Sequence, residues 1–130
     1  MYETLTRGIR IHATPRYSEE ESSPDDNRYV WSYTIDIANE GRDSVQLRSR
    51  QWRITDGNGH TQQVGGPGVV GQTPVILPGA SFHYTSGCAL NTPSGIMVGS
   101  YQMTTEAGEL FDAAIPAFSL DSPHAQRSLN

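Results

Sequence analysis

A glycine-rich segment, GGPGVVG at residues 65–71, carries the spacing with the clearest chemical meaning in the chain. Three of its glycines stand at the GxGxxG positions: Gly66, Gly68 and Gly71. In dinucleotide-binding domains this motif follows a strand and opens a helix that receives the pyrophosphate, and an acidic residue follows about 20 positions later. Here Pro74 and Pro78 prevent a regular helix after the loop, and no Asp or Glu stands between Gly71 and Glu106. A Rossmann-type nucleotide site is therefore excluded.

Two interpretations of the glycine loop remain. It is either a bend in which glycine permits an unusual backbone conformation, or a loop whose backbone N–H groups converge on a phosphate without a helix. Pro67 removes one donor from such a loop, whereas Arg50 or Arg53 could add positive charge. The sequence favours the bend and leaves Gly66, Gly68 and Gly71 as candidate residues for binding pyrophosphate or a nucleotide.

The residue types that usually carry catalysis are sparse and scattered. The four histidines lie far apart along the chain: His12, His60, His83 and His124. Neither HExxH nor GxSxG occurs, and all nine basic residues are Arg, which excludes a P-loop lysine and Schiff-base chemistry. A single cysteine, Cys88, excludes an intramolecular disulfide and a multi-thiolate zinc site. We expect a protein that is not an enzyme, with no catalytic residue, metal or cofactor.

Two of the histidines alternate with apolar residues, which predicts that they point away from the core. His12 follows Ile11, and His83 stands between Phe82 and Tyr84. If their strands were neighbours, both imidazoles could reach a divalent ion together with Asp36. Sequence alone does not place strands side by side, and a tight metal site is not predicted.

Alternating apolar and polar residues predict an all-β domain. The clearest strand is YVWSYTIDIA at residues 29–38, and shorter patterns follow around residues 9–13, 45–54, 82–84, 96–105 and 109–118. DGNG at residues 56–59 and EAG at 106–108 predict hairpin turns, and a change of apolar phase predicts a bulge at residues 49–51. With no uninterrupted helical stripe, about seven short strands indicate an antiparallel β-sandwich of the immunoglobulin or fibronectin type III kind.

Length and charge limit the partners. The 130 residues suit one domain, which we place at residues 1–120, with a flexible polar tail at 121–130. A net charge of −5 and the acidic run EEESSPDD disfavour nucleic acid. No apolar run is long enough for membrane insertion, and the N-terminus lacks a signal-peptide pattern, so the expected location is the cytoplasm.

Four ordered blocks of the chain resemble the bacterial ApaG (CorD) family. They are RYSEEESSPDDNRYVWSYTIDIANEG, LRSRQWRITDGNG, GPGVVGQTPVILPGASFHYTSG and SGIMVGSYQMTTEAGELFDAAIPAFSL, and the similarity runs from Ile9 to Leu120. The resemblance implies a fibronectin type III-like sandwich in a small cytoplasmic protein associated with cobalt resistance and magnesium efflux, without an established catalytic activity. It also maps family-level suggestions of pyrophosphate or nucleotide binding onto Gly66, Gly68 and Gly71.

Three functions are compatible with these observations. They are a non-catalytic protein-binding module with an unidentified partner, a phosphate or nucleotide sensor, and a protein that chelates a metal itself. We favour the protein-binding module, because sandwich folds present loops and edge strands as docking surfaces and because the family resemblance points the same way.

Overall fold

The computed structural model describes residues 2–125 of the chain, and these residues form nine β-strands. The strands are β1 Tyr2–Thr6, β2 Ile9–Tyr17, β3 Tyr29–Asn39, β4 Val45–Asp56, β5 Thr61–Pro67, β6 Val75–Ile76, β7 Ser81–Leu90, β8 Gly95–Thr105 and β9 Leu110–Leu120. The single helical element in this range is a 3-10 turn at Pro24–Asp26. The all-β prediction is confirmed, while the count of about seven strands was too low because β1 and β6 were missed.

The strands make two antiparallel sheets that face each other. The first sheet has the order β1-β2-β3-β7, and the second has the order β5-β4-β8-β9 with the short β6 also paired to β4. The predicted sandwich is therefore confirmed. Residues 2–125 contain no helix that is long and apolar enough to cross a membrane.

The two sides of the sandwich differ. On one side β1 lies against β9, where the Thr4 hydroxyl donates to the carbonyl of Ala114 and the Ala114 N–H donates to the Thr6 hydroxyl at 3.4 Å. We call this the closed side. On the other side lie β7 and β5, the terminal strands of the two sheets, and we call this the open side.

The core fills the space between the sheets with the inward-facing residues of each strand. Its aromatic centre joins Tyr33 of β3, Trp52 of β4 and Phe118 of β9, with ring centroids 5.4–5.9 Å apart. Trp31 is 1% exposed, and its indole N–H donates to the carbonyl of Asp121 at 2.8 Å. Both tryptophans of the chain, Trp31 and Trp52, therefore lie in the core.

The predicted turns and the bulge are present. A hairpin at residues 56–60 joins β4 to β5, with Gly59 at a φ of 85°, and Gly108 at a φ of 84° closes the β8–β9 turn. The β4–β8 register shifts between Leu47 and Ser49, so the bulge lies one residue before the predicted range 49–51.

The segment after β9 packs onto the domain as far as the structure describes it. The Ser122 hydroxyl donates to the carbonyl of Pro93 at 2.6 Å, and the His124 ring lies 5.9 Å from Tyr17 and 6.2 Å from Tyr29. Residues 121–125 of the predicted tail therefore contact the body of the protein, and residues 126–130 lie outside the described range.

The burial of Trp31 makes its replacement a test of the core. Trp31→Ala should lower the free energy of unfolding by about 3–5 kcal/mol, the usual cost of truncating a large core side chain. Trp31→Phe keeps one aromatic ring but loses the hydrogen bond to Asp121 and part of the packing of the indole, so it should cost less than Trp31→Ala. Urea titration followed by circular dichroism measures both, and equal stability of Trp31→Ala and the unmodified protein would contradict the burial.

Candidate functional site

The glycine loop begins inside β5 and is bonded to β4. Two hydrogen bonds mark the ends of the β4–β5 ladder. At one end the Asp56 N–H donates to the carbonyl of His60, and at the other the Gly68 N–H donates to the carbonyl of Arg48 at 2.9 Å. Because bonded pairs alternate along an antiparallel ladder, the N–H of Gly66 faces the carbonyl of Arg50. Two of the three candidate glycines thus have their N–H groups directed into the sheet.

The third glycine lies in a tight turn. Val69 and Gln72 exchange two backbone hydrogen bonds of 2.8 Å each, and the turn residues Val70 and Gly71 have φ values of 43° and 79°. This is the two-residue geometry with positive φ at both positions, which glycine adopts easily and a β-branched valine rarely does. The loop is therefore a bend, and it holds Val70 in a strained conformation.

Arg50 supplies positive charge to the loop, and its guanidinium contacts backbone carbonyl groups of the loop. Its Nη1 donates to the carbonyl oxygens of Pro67 at 3.0 Å and Gly68 at 2.9 Å. Arg53, the other candidate, lines a groove of about 510 Å³ between β4, β5 and β8, and none of the three GxGxxG glycines lines that groove. The structure therefore joins Arg50 to the loop and separates Arg53 from it.

These contacts limit the chemistry of the loop. A bound phosphate would find the N–H groups of Val70 and Gly71, which take part in no backbone hydrogen bond in the described loop. Those of Gly66 and Gly68 would be reached only by breaking the ladder to β4. Phosphate binding at Gly66, Gly68 and Gly71 stays a prediction, and the geometry assigns them a structural role.

The outer face of the first sheet carries the histidine arrangement considered from sequence. The register places His12 opposite Asp36, and Asp36 opposite His83, on three neighbouring strands. Glu3 continues the row on β1, and its carboxylate lies 2.7 Å from Nε2 of His12. Asp36 on β3 thus lies between the two histidines, an arrangement that the sequence alone did not place. Within residues 2–125 no three His, Cys, Asp or Glu side chains are positioned to hold a metal ion.

The same face holds an ion-pair network next to the row. Arg10 contacts Glu3 at 2.6 Å and Glu40 at 2.7 Å. The hydrogen bond from the Arg10 guanidinium lowers the pKa of the Glu40 carboxyl, and the positive charge of Arg10 has a smaller effect in the same direction. The carboxylate of Glu3 contacts both Arg10 and His12, so its oxygens already have partners on this face.

The open side presents a long strand whose outer edge is unpaired among the described residues. β7 pairs with β3 in continuous register over ten positions, and the Asn39 N–H donates to the carbonyl of Ala80 at 3.0 Å just before β7 begins. From that bond the ladder alternates, so every second residue of β7 turns its N–H and C=O away from β3. The residues whose backbone N–H and C=O groups are directed away from β3 are Ser81, His83, Thr85, Gly87 and Ala89.

The sequence of β7 leaves this edge unprotected. Ser81–Leu90 contains no proline, no carboxylate and no arginine, and its pairing with β3 shows no bulge. Proteins usually block exposed edges with such features. Sequence reasoning missed this surface, although an uncharged ten-residue strand in a chain of net charge −5 is visible in the sequence.

A buried polar contact lies behind β7. The hydroxyl groups of Tyr84 on β7 and Tyr101 on β8 are hydrogen-bonded between the sheets, and burial raises the pKa of both. Burial also raises the pKa of the half-buried Cys88 thiol to about 11. These groups stay protonated near neutral pH, and the tyrosine pair ties β7 to the second sheet.

The glycine loop can be tested by three alanine substitutions. Gly71→Ala should cost about 1–2 kcal/mol because its φ of 79° is unfavourable for alanine, although no atom lies within 4 Å of the added methyl. Gly68→Ala should cost more, since its Cβ would lie 2.2 Å from the carbonyl oxygen of Gln72. Gly66→Ala is the control, because its nearest contact is the movable guanidinium of Arg50 at 3.2 Å. Chemical denaturation ranks the three, and a Gly66→Ala cost equal to that of Gly68→Ala would contradict the bend.

Nucleotide binding can be tested separately. With the N–H groups of Gly66 and Gly68 bonded to β4, we expect millimolar pyrophosphate or ATP to leave the melting temperature unchanged. A ligand that binds only the folded state would raise it by mass action. A saturable rise that is lost in Gly71→Ala, with the rise retained in a distant surface variant, would establish the phosphate site instead.

The histidine row makes a prediction about metals. Calorimetry with cobalt or magnesium should show only weak, salt-sensitive heat, since no three donors converge within the described range. His12→Ala and His83→Ala should therefore give the same trace as the unmodified protein. A stoichiometric sub-micromolar complex that either substitution abolishes would overturn this prediction.

Comparison with known proteins identifies the family of this chain. Residues 19–105 match the model of the ApaG domain. Protein ApaG of Methylobacterium sp. (strain 4-46) is 61% identical over 130 residues, with all of both chains covered. The crystal structure of an ApaA protein from Bordetella pertussis superimposes with a TM-score of 0.87 at 45% identity, covering 90% of this chain and 95% of that one.

A more distant structure shares the fold alone. The C-terminal domain of wzt aligns with a TM-score of 0.57 at 8% identity, covering 99% of this chain and 81% of that one. The two-sheet architecture therefore extends beyond close relatives. The family-model match and the full-length relatives show that this chain belongs to the ApaG family.

Proposed function

We propose that this protein is a non-catalytic, protein-binding regulatory domain, and that β7 is where it receives its partner. The observation that carries the proposal is the free edge of β7, which presents the backbone groups of five residues in one row. An extended segment of another protein can add to such an edge as a further strand, gaining main-chain hydrogen bonds along its length.

The other edges of the sandwich are less suited to this role. β1 and β9 lie against each other on the closed side, where hydroxyls of Thr4 and Thr6 bond the Ala114 backbone. β9 also contains Pro116, which lacks an N–H. β5 is seven residues long and ends in Gly65, Gly66 and Pro67. Among these strands β7 combines length, regular register and an outer edge with which no described residue pairs.

The edge is held rigid before any partner arrives. Behind it, the hydroxyls of Tyr84 and Tyr101 are hydrogen-bonded between the sheets, and Thr34 and Thr85 share a 2.8 Å hydroxyl contact across β3 and β7. A preorganised strand loses little conformational freedom on binding, which favours affinity. This rigidity supports a docking role for β7.

Protein binding also accommodates the cellular roles that the family resemblance implies. We propose that a link to cobalt resistance and magnesium efflux, in the cytoplasm, runs through the bound partner rather than through metal held by this chain. A phosphate or nucleotide sensor is the weaker alternative, because Gly66 and Gly68 direct their N–H groups to β4.

Two substitutions at the centre of β7 test the proposal. Thr85→Pro removes the outward-facing N–H without removing a bond to β3, whereas Thr85→Ala removes the same hydroxyl and keeps the N–H. Immobilised Thr85→Pro should lose the proteins that the unmodified domain captures from cell extract, and Thr85→Ala should retain them. Mass spectrometry identifies the captured set.

A proline substitution at a second position of β7 controls for a folding defect in Thr85→Pro. Ala89→Pro removes another free N–H near the end of β7 and should give the same loss, with circular dichroism confirming the sheet content of each variant. Capture that is unchanged in both proline variants would show that the partner binds elsewhere.

A further inference from the structure

The two halves of β7 differ in the size of their side chains. Before Thr85 the strand carries three bulky residues, Phe82, His83 and Tyr84, and after Thr85 it carries Ser86, Gly87 and Cys88. If two copies of β7 ran antiparallel about Thr85, each bulky residue would face a small one. Phe82 would lie opposite Cys88, His83 opposite Gly87, and Tyr84 opposite Ser86.

The hydrogen-bonding phase permits this register. The residues of β7 that turn their backbone groups away from β3 have odd numbers, and a two-fold axis at Thr85 pairs odd residues with odd residues. The backbone of Thr85 would hydrogen-bond to Thr85 of the second copy. In the same way His83 would pair with Gly87 of that copy, and Ser81 with Ala89. The outward N–H and C=O groups of both edges would then be satisfied.

Three physical features favour self-pairing. A side chain facing an edge glycine covers the space that the glycine leaves open, as His83 would cover Gly87. A thioether or thiol sulfur near an aromatic ring, as between Cys88 and Phe82, is a favourable contact. The strand also contains no carboxylate or guanidinium, so two paired copies of β7 would place no such like charges opposite each other.

We propose that β7 pairs with β7 of a second copy, in antiparallel register about Thr85, to join the two first sheets into one eight-stranded sheet. This inference rests on the proposed function, because it names the chain's own copy as an occupant of the same edge. Edge pairing alone buries less area than a permanent interface, so the dimer exchanges and leaves β7 open to other proteins.

Sedimentation velocity from micromolar to millimolar concentration measures the association. The unmodified protein should shift from monomer to dimer over this range. Thr85→Pro should weaken the dimer roughly tenfold or more, since the central hydrogen-bonded pair is lost, and Thr85→Ala should change it little. A monomer at every concentration would overturn the inference.

A disulfide trap tests the register. In the proposed dimer Phe82→Cys would place a thiol opposite the native Cys88 of the second copy, in a closely spaced non-bonded pair. Within one chain these positions are about 20 Å apart along the strand, so a disulfide could form only between copies. Mild oxidation should therefore give a covalent dimer of Phe82→Cys.

Ser81→Cys is the matched control, because residue 81 would face Ala89 and points to the opposite side of the sheet from Cys88. It should stay monomeric on a non-reducing gel. Cross-linking of both variants to the same extent, or of neither, would contradict the register about Thr85.

The same variants separate this inference from the proposed function. If the unmodified protein is monomeric while Thr85→Pro still loses captured proteins, self-pairing is wrong and the edge binds a different partner. If the protein dimerises while both proline variants capture the usual proteins, the dimer stands and the proposed docking site for other proteins is wrong.

Discussion

The pairing of backbone N–H and C=O groups at sheet edges is the constraint on which this structure depends. A two-sheet sandwich has four edges, and each exposes main-chain groups that need partners. On the closed side the Thr4 and Thr6 hydroxyls supply them for Ala114. Comparable side-chain bonds to the outward groups of β7 do not occur among the described residues. The outward main-chain groups of β7, on the open side, are therefore left without partners among the described residues.

The distribution of charge follows the same division. The ion pairs of the described range that involve arginine join Arg7 to Glu109 and Arg10 to Glu3 and Glu40, all near β1, β2 and the β8–β9 turn. β7 contains no member of these networks and no carboxylate or arginine of its own. Charged side chains are therefore paired near the closed side and absent from β7, so a strand added to β7 would meet no carboxylate or arginine of that strand.

Much of the fold was predictable because its signal is local. Alternation from Tyr29 to Ala38 predicts a half-buried strand, and glycine in DGNG predicts a tight turn; both are present. β1 and β6 were missed for physical reasons. β1 depends on pairing with β2 and on hydroxyl bonds to β9, and β6 is two residues long, so neither contains enough alternation to identify it.

The candidate site was less predictable, because its properties arise between strands. The spacing of Gly66, Gly68 and Gly71 is visible in the sequence, but the direction of their N–H groups is set by the register with β4. The proximity of His12, Asp36 and His83 likewise needed the β2-β3-β7 order. To identify the edge of β7, one must know that it pairs with β3 on one side and with no described strand on the other, and the sequence of β7 alone shows neither.

The GxGxxG motif shows that the surrounding fold determines whether the glycine N–H groups are free to bind phosphate. In a loop that opens a helix, successive glycines leave their N–H groups free for phosphate. Here the same spacing continues an antiparallel strand, so the ladder takes the donors of Gly66 and Gly68, and Arg50 directs its guanidinium to loop carbonyls rather than to solvent. The motif thus shapes the end of β5, whereas the outward-facing donors of β7 stay unpaired among the described residues.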